Sequence, residues 1–420
     1  MFFLSFWWNP LYAFSWILVL IFVLLVLGDI TALFTGKNFK AQRVLPEKFS
    51  NSDENPVEIS LENKYAFLVH LEIIDELPLQ FQKRDFLLKH KILPKQKRKV
   101  FYYLKPFERG EYFFGKLNIY VSTNLGLVRR RYSFQDRQMV KVYPSFIQMK
   151  KYDFLAIDNR LTGIGLKKIR RIGHTMEFEQ IKDYVRGDDI RTINWKASAK
   201  RGNLMVNQYQ DEKSQPVYSI INTGRVMKMP FEGLKLLDYA INSSLAFSNI
   251  ALKRNDKAGM LTYARNIKNF VPAQSGKVHL NRILETLYNI ETDFSDSDLN
   301  LLYAHIRRRI TRRSLILLYT NFEHFNSLKR QLPYFKAIAK KHLLVVIFFE
   351  NTELKKLIDT EVESISAIYD QTIAHEFENY KKQILLELRK NGIQVVLTTP
   401  ENLTINTINK YLELKARGLF

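Results

Sequence analysis

The first 28 residues, Met1 to Gly28, contain no charged side chain; Asp29 is the first. Within them Leu11–Leu27 reads LYAFSWILVLIFVLLVL, and the apolar character resumes at Ile30 and Ala32–Phe34. Crossing about 30 Å of hydrocarbon takes about 20 apolar residues, so Leu11–Phe34 is predicted to be a transmembrane helix. Trp7, Trp8, Tyr12 and Trp16 sit at its amino-terminal side, where aromatic rings favour the membrane interface. A cleaved signal peptide would show a basic leading region and a small-residue cleavage site, and neither is evident. No Lys or Arg precedes the run, whereas Lys37, Lys40, Arg43 and Lys48 follow it. The positive-inside rule therefore predicts residues 35–420 in the cytoplasm. Met1–Pro10 is apolar but too short to cross alone.

At 420 residues the chain suits two or three domains, and 46% apolar residues can fill real cores. It has no cysteine, which excludes disulfides, thiolate zinc sites and cysteine nucleophiles. The formal charge of +22 points to nucleic acid, anionic lipid or an acidic partner. Basic clusters occur at Lys95–Lys99, Lys167–Arg171 and Arg307–Arg313, with no aromatic–basic stripe and no helix-turn-helix or zinc-finger spacing. Beside a membrane span, lipid or a protein partner is favoured over nucleic acid.

Residues 35–150 read as a β-rich module. Short alternating runs, Val57–Leu61, Phe67–Ile73, Val100–Leu104, Lys116–Val121 and Val140–Val142, suggest a small all-β, sandwich-like fold. Arg109–Tyr112 followed by Gly115–Leu117 reads as a turn leading into a strand. Residues 216–420 read instead as an α/β doubly wound domain with a parallel sheet covered on both faces. Its strands are expected at Val217–Ile221, Ala258–Tyr263, Ser314–Thr320, Leu343–Phe349 and Ile393–Thr398. Helices are expected at about 233–254, 278–290, 297–310, 325–341, 370–390 and 404–417, with Gly392 as a helix-terminating glycine.

Between these blocks, in residues 151–215, lies the most distinctive stretch, EFEQIKDYVRGDDIRTINWKASAKRGNLMVNQ from Glu177 to Gln208. Gly187-Asp188-Asp189 reads as a turn. Arg191 is expected to pair with Asp188 or Glu177, and Trp195 to anchor the segment against a neighbouring domain. The alternative role for the segment is a docking surface. The run resembles the signature of the domain of unknown function 58 family, matching at Tyr184, Gly187, Asp188, Arg191, Ile193, Trp195, Ser198 and Ala199. Glu177 and Phe178 match upstream, and Leu204 and Val206 downstream. The order of parts also agrees, so the resemblance extends over nearly the whole chain. One departure is a single apolar helix where that family usually begins with a two-helix hairpin.

The resemblance implies a bacterial protein tethered to the inner membrane, often paired with a MoxR-type AAA+ ATPase, with no established catalytic activity. It also implies a von Willebrand factor A-like fold for the terminal domain. Working domains of that kind hold Mg²⁺ through an Asp-x-Ser-x-Ser run after the first strand, with a Thr and a second Asp from later loops. Here Asn222, Gly224 and Val226 occupy the first run, Arg225 adds a cation, and Asn321 stands where the second Asp would fall. Hard Mg²⁺ favours anionic oxygen ligands, so Ser295 and Ser297 alone do not restore the site, and no metal or cofactor is expected. No Walker A run, nucleophile elbow or paired zincin histidines occur; Gly163-Ile164-Gly165 is too short for a dinucleotide fingerprint, His375-Glu376 lacks a second His, and His174 is a lone histidine. The expectation is a non-enzymatic membrane scaffold. The alternatives are a basic membrane protein that binds nucleic acid or anionic lipid, and a metal-dependent adhesion-type domain.

Overall fold

In a computed structural model, residues 10–35, 38–134, 137–157, 176–185, 187–211, 214–231, 233–359 and 365–420 are described. Trp7, Trp8, Lys37, Gly163, Gly165, His174 and the cluster Lys167–Arg171 lie outside them. The chain divides into two compact units, Met1–Tyr143 and Pro144–Phe420.

The first unit opens with α1 (Pro10–Phe34), apolar all round. Its Phe14–Phe34 stretch has a mean hydropathy of 2.9 and is the one helix among the described residues long and apolar enough to cross a membrane. Ten strands follow: β1 (Phe39–Val44), β2 (Lys48–Ser50), β3 (Asn55–Asn63), β4 (Val69–Asp75), β5 (Leu88–Ile92), β6 (Lys97–Leu104), β7 (Gly110–Phe114), β8 (Leu117–Ser122), β9 (Arg129–Phe134) and β10 (Gln138–Tyr143). They form three small sheets, β1-β3-β6, β2-β10-β7 and β5-β4-β8-β9. All three feed one apolar core that includes Phe49, Ile59, Leu71, Ile73, Phe114 and Ile119. Where Arg109–Tyr112 was expected as a turn, Gly110–Phe114 is a strand, because Tyr112 and Phe114 alternate into that core while Glu111 and Phe113 face out.

The second unit begins with α2 (Phe146–Ile157), which includes residue 150 and packs on α4 below. A hairpin of β11 (Met176–Asp183) and β12 (Met205–Asp211) carries α3 (Trp195–Arg201) between its strands. The remainder is a six-stranded sheet. Its strands are β13 (Pro216–Asn222), β16 (Lys257–Tyr263), β17 (Ile267–Gln274), β18 (Leu315–Tyr319), β19 (Leu343–Phe349) and β20 (Gln394–Thr398), in the order β17-β16-β13-β18-β19-β20. A two-residue pair, β14 (Pro230–Phe231) and β15 (Leu234–Lys235), leads into α4 (Leu236–Lys253). The other helices are α5 (Lys277–Tyr288), α6 (Leu299–Arg309), α7 (Phe325–Ala339), α8 (Thr352–Asp359), α9 (Ile365–Lys390) and α10 (Leu403–Ala416).

Alternation along β13 explains how both faces are covered. Val217 and Ile221 join a core with α4, α5 and α10, whereas Tyr218 and Ile220 join a second core with α6, α7 and α9. The sheet is mixed rather than parallel: β17 runs antiparallel to β16 at one edge. Its sequence, IKNFVPAQ, shows no strict alternation and carries Pro272, as suits a strand with one unpaired side.

His342, just after α7, is buried, and neither ring nitrogen has a hydrogen-bond partner among the described residues. Burial, helped by the neighbouring charge of Lys341, pushes its pKa down from 6.5 to about 4. Between those values the unfolded chain binds a proton that the folded chain refuses, so stability falls as pH drops through this window. The expected loss is on the order of 2 kcal/mol. Denaturant unfolding of the wild type and of His342→Phe at several pH values checks this, the variant losing that part of the slope.

Candidate functional site

In open α/β sheets the crevice outside the carboxyl ends of the strands, where strand order reverses, is where ligands collect. Here the chain goes from β13 to β16 on one side and returns to β18 on the other, so the reversal falls between β13 and β18. Asn222 ends β13 at that point and is buried. Its amide oxygen accepts hydrogen bonds from the Gly224 backbone N–H at 2.8 Å and from Ser297 Oγ at 2.7 Å. Its amide nitrogen donates to Thr320 Oγ1 at 3.0 Å. The crevice is therefore closed by an uncharged network.

Gly224 is fixed by space: a Cβ there would lie 2.6 Å from Ser297 Oγ and 3.0 Å from both Asn222 Oδ1 and the Ser295 carbonyl. Arg225 turns outward to pair with Asp296 at 3.4 Å, and Val226 packs against the core below. Asn222 and Gly224 thus meet the Ser297 and Thr320 side chains, while Val226 and Asn321 turn elsewhere. Among the described residues no group of three or more His, Asp or Glu side chains is placed to hold a metal ion.

Asn321 belongs to the adjoining pocket. A cavity of about 380 Å³ opens at the carboxyl ends of β18–β20, walled by α8, α9 and the β14 region, with Phe231, Phe322, Phe349, Ile358 and Phe377 in its lining. Lys381 of α9 reaches into it and donates to Asn321 Oδ1 at 2.6 Å. Its ammonium lies 5.6 Å from the Phe348 ring centroid. Burial in these surroundings lowers its pKa from 10.5 to about 8.

The Glu177–Gln208 segment is held together by short polar side chains acting on backbone. Gly187 takes φ +116°, a conformation other residues rarely adopt. Asp188 accepts the Val185 N–H and the Lys182 ammonium, each at 3.0 Å, and these donors hold its carboxyl below the usual carboxylate range. Asp189 caps the 3-10 turn Ile190–Thr192. Asn194 caps α3, and Ser198 Oγ donates to the Asn194 carbonyl and accepts the Met205 N–H. Glu177 and Phe178 lie in β11 opposite Gln210 and Tyr209. Tyr184 closes the hairpin through its backbone N–H to the Leu204 carbonyl.

Two expectations change. Asp188 pairs with Lys182 across the hairpin turn, not with Arg191, because the Asp189 cap starts a new turn that leaves Arg191 exposed; the other expected partner, the Glu177 side chain, lies outside what the structure describes. Trp195 is 69% exposed rather than buried, since the backbone bonds of Asn194 and Ser198 fix the segment without the indole. Beside it in sequence Val185 and Ile190 are also exposed. Asn194, and the capping role of Asp189 beyond its place in the turn, escaped the sequence reading, although an Asp or Asn just before a short helical turn is a capping signal. Lys381 gave no such signal, its partner being 60 residues away.

Residues 180–378 match the family described as protein of unknown function DUF58. The DUF58 match runs from β11 into α9, so it takes in the hairpin and most of the sheet but not the β-rich module. The chain is also 26% identical over 292 residues to the uncharacterized protein YeaD of Bacillus subtilis (strain 168), covering 67% of this chain and 70% of that protein. Among solved structures, PapD-like domain 7 of human CEP192 is 10% identical over 25% of this chain and 84% of its own, with a TM-score of 0.20. Proximal thread matrix protein 1 from the mussel byssus is 9% identical over 48% of this chain and 46% of its own, with a TM-score of 0.29. Likeness this low assigns neither fold nor function.

Two outcomes follow from the geometry. Asn222→Ala strands the Gly224 N–H and the Ser297 hydroxyl and removes the donor to Thr320 Oγ1, and is expected to cost about 2–4 kcal/mol in denaturant unfolding. Lys381 is expected to be acylated at pH 8 several times faster than exposed lysines by a small aryl ester, read by peptide mass spectrometry, because about half of it is unprotonated there.

Proposed function

We propose that this chain is a DUF58-family scaffold without catalytic activity, tethered by α1 to the bacterial inner membrane with residues 35–420 in the cytoplasm. In this reading the α/β region is a von Willebrand factor A-like domain whose metal site has become the uncharged Asn222 network. Its partner is the class implied by the family resemblance, a MoxR-type AAA+ ATPase. The observation that carries the proposal is Trp195, 69% exposed on a hairpin whose backbone is fixed by Asp188, Asp189, Asn194 and Ser198. A large amphipathic ring held out on a rigid support loses little entropy on contact, which is the usual character of an interface anchor.

The test is a crosslinking pulldown of full-length protein from its own membranes, beside Trp195→Ala. Recovery of an AAA+ ATPase with the wild type and a loss of about tenfold or more with the folded variant is expected for a hot-spot residue. Equal recovery with both would remove Trp195 from the interface. No ATPase with either would remove the proposed partner.

A further inference from the structure

The end of the β-rich module from which α1 emerges carries an inference about the bilayer itself. Strand register identifies that end. Val69 pairs with Ile92, His70 with Ser122, and Ser122 with Arg129, so the 92–97 and 122–129 connections lie level with one another. In the neighbouring sheet Phe39 pairs with Asn63, and Glu62 with Lys97. Backbone bonds tie these connections together: Lys64 N–H to the Asn38 carbonyl, Lys95 N–H to the Tyr65 carbonyl, and Asn63 N–H to the Gln96 carbonyl.

α1 is bound into the same end. Its Leu33 carbonyl accepts from Tyr65 Oη at 2.7 Å and from Arg130 at 2.6 Å, and the Arg130 guanidinium lies 4.9 Å from the Phe34 ring centroid. About one turn earlier, Asp29 is buried against the β8–β9 connection, accepting from Thr123 Oγ1 and from the Val128 N–H at 2.9 Å. From Leu33 back to Asp29 is about 6 Å along a helix. From Arg130 back to Val128 is about 7 Å along a strand. The two advances match, so β9 read backwards travels beside α1 towards the apolar stretch. The tip beyond Val128 continues in that direction.

That tip is Asn124-Leu125-Gly126-Leu127, with Leu125 59% and Leu127 41% exposed. Single exposed leucines are ordinary; two on a tip aimed along a membrane helix are not. The next connection adds exposed Leu93. Around them stand exposed Lys64, Lys95, Lys97, Arg98 and Arg129. Two of these have acidic neighbours, Lys97 with Glu62 at 3.9 Å and Arg129 with Glu72 at 2.5 Å.

We propose that this end of the module is a second lipid contact: Leu125 and Leu127 enter the bilayer interface beside α1, and the surrounding cations face anionic headgroups. Apolar residues that dip into the headgroup boundary, ringed by Lys and Arg, are the usual chemistry of such contacts. The proposal rests on reading α1 as a membrane span. It places Asp29 at the level of the interface, its carboxylate satisfied by the inserted loop rather than by water.

The absence of native cysteine makes single-site labelling direct. Phe22→Cys in α1, Leu125→Cys, and Leu79→Cys each carry an environment-sensitive fluorophore on full-length protein in phosphatidylglycerol–phosphatidylcholine vesicles. All three positions are exposed, and Leu79, at 93%, follows the far end of β4. Nitroxide lipids labelled near the headgroup or at mid-chain are then added. The expected result is that Phe22→Cys responds to the mid-chain label and Leu125→Cys to the headgroup label, each by about twofold or more, with Leu79→Cys unchanged. Quenching at position 22 with position 125 behaving like position 79 would overturn the lipid contact and leave the span standing. No quenching at position 22 would overturn the span and the contact together.

Discussion

The Asn222 amide sets what the carboxyl edge of the sheet can be. A carboxylate in its place could only accept hydrogen bonds; the amide accepts two and donates one, and so joins Gly224, Ser297 and Thr320 without net charge. Because Asn222 ends β13 and Thr320 follows β18, the bond between them ties together the two strands between which the chain reverses its direction across the sheet. Buried polar groups satisfied in this way confer a single well-ordered geometry. The neighbouring crevice is treated differently. There Lys381 contributes a partly desolvated amine to an apolar cavity, with Asn321 as its hydrogen-bond acceptor.

The β-rich module solves a harder electrostatic problem with a charge pair. Arg43 and Asp75 are both buried and paired, Tyr102 donates to the same carboxylate at 2.5 Å, and Arg43 also reaches Gln138 and the Gly115 carbonyl. Such a pair tolerates burial only when its remaining donors and acceptors are occupied, as they are here. It links β1, β4, β6 and β10, which belong to all three sheets. One cation counted from sequence as flanking the membrane helix is therefore an internal tie, and its charge is matched within the fold.

What was legible in the sequence follows from where each strand sits. The central strands β3, β4, β8 and β10 of the module were readable because their inward residues alternate cleanly, as in the Val57, Ile59 and Leu61 run. The strands missed there, β1, β2, β5, β7 and β9, all lie at sheet edges. β9, RRRYSF, and β5, LKHKI, carry charges that keep an edge from pairing with another chain, and those charges hide the strand pattern. β17 in the α/β region, also at an edge, lacks a regular alternation, whereas β18 and β19, buried on both faces, read as unbroken apolar runs, and β13 is interrupted only by Ser219 before it ends at Asn222. In the candidate site Gly187 and Asp188 were readable as a turn. The partner of Asp188 was not, since Arg191 is nearer to it in sequence than Lys182, yet the fold of the hairpin brings Lys182 to it.

Gly224 leaves a historical constraint behind it. With Ser297 Oγ, Asn222 Oδ1 and the Ser295 carbonyl crowded round the point where a Cβ would stand, a hydroxyl-bearing residue fits there only if these neighbours shift. Any lineage carrying this arrangement must loosen its surroundings before position 224 can change, and the atoms that would have to move include the Asn222 amide that also bonds across to β18. The edge is thus easier to keep than to rebuild, and the order of substitutions, more than their chemistry, guards it.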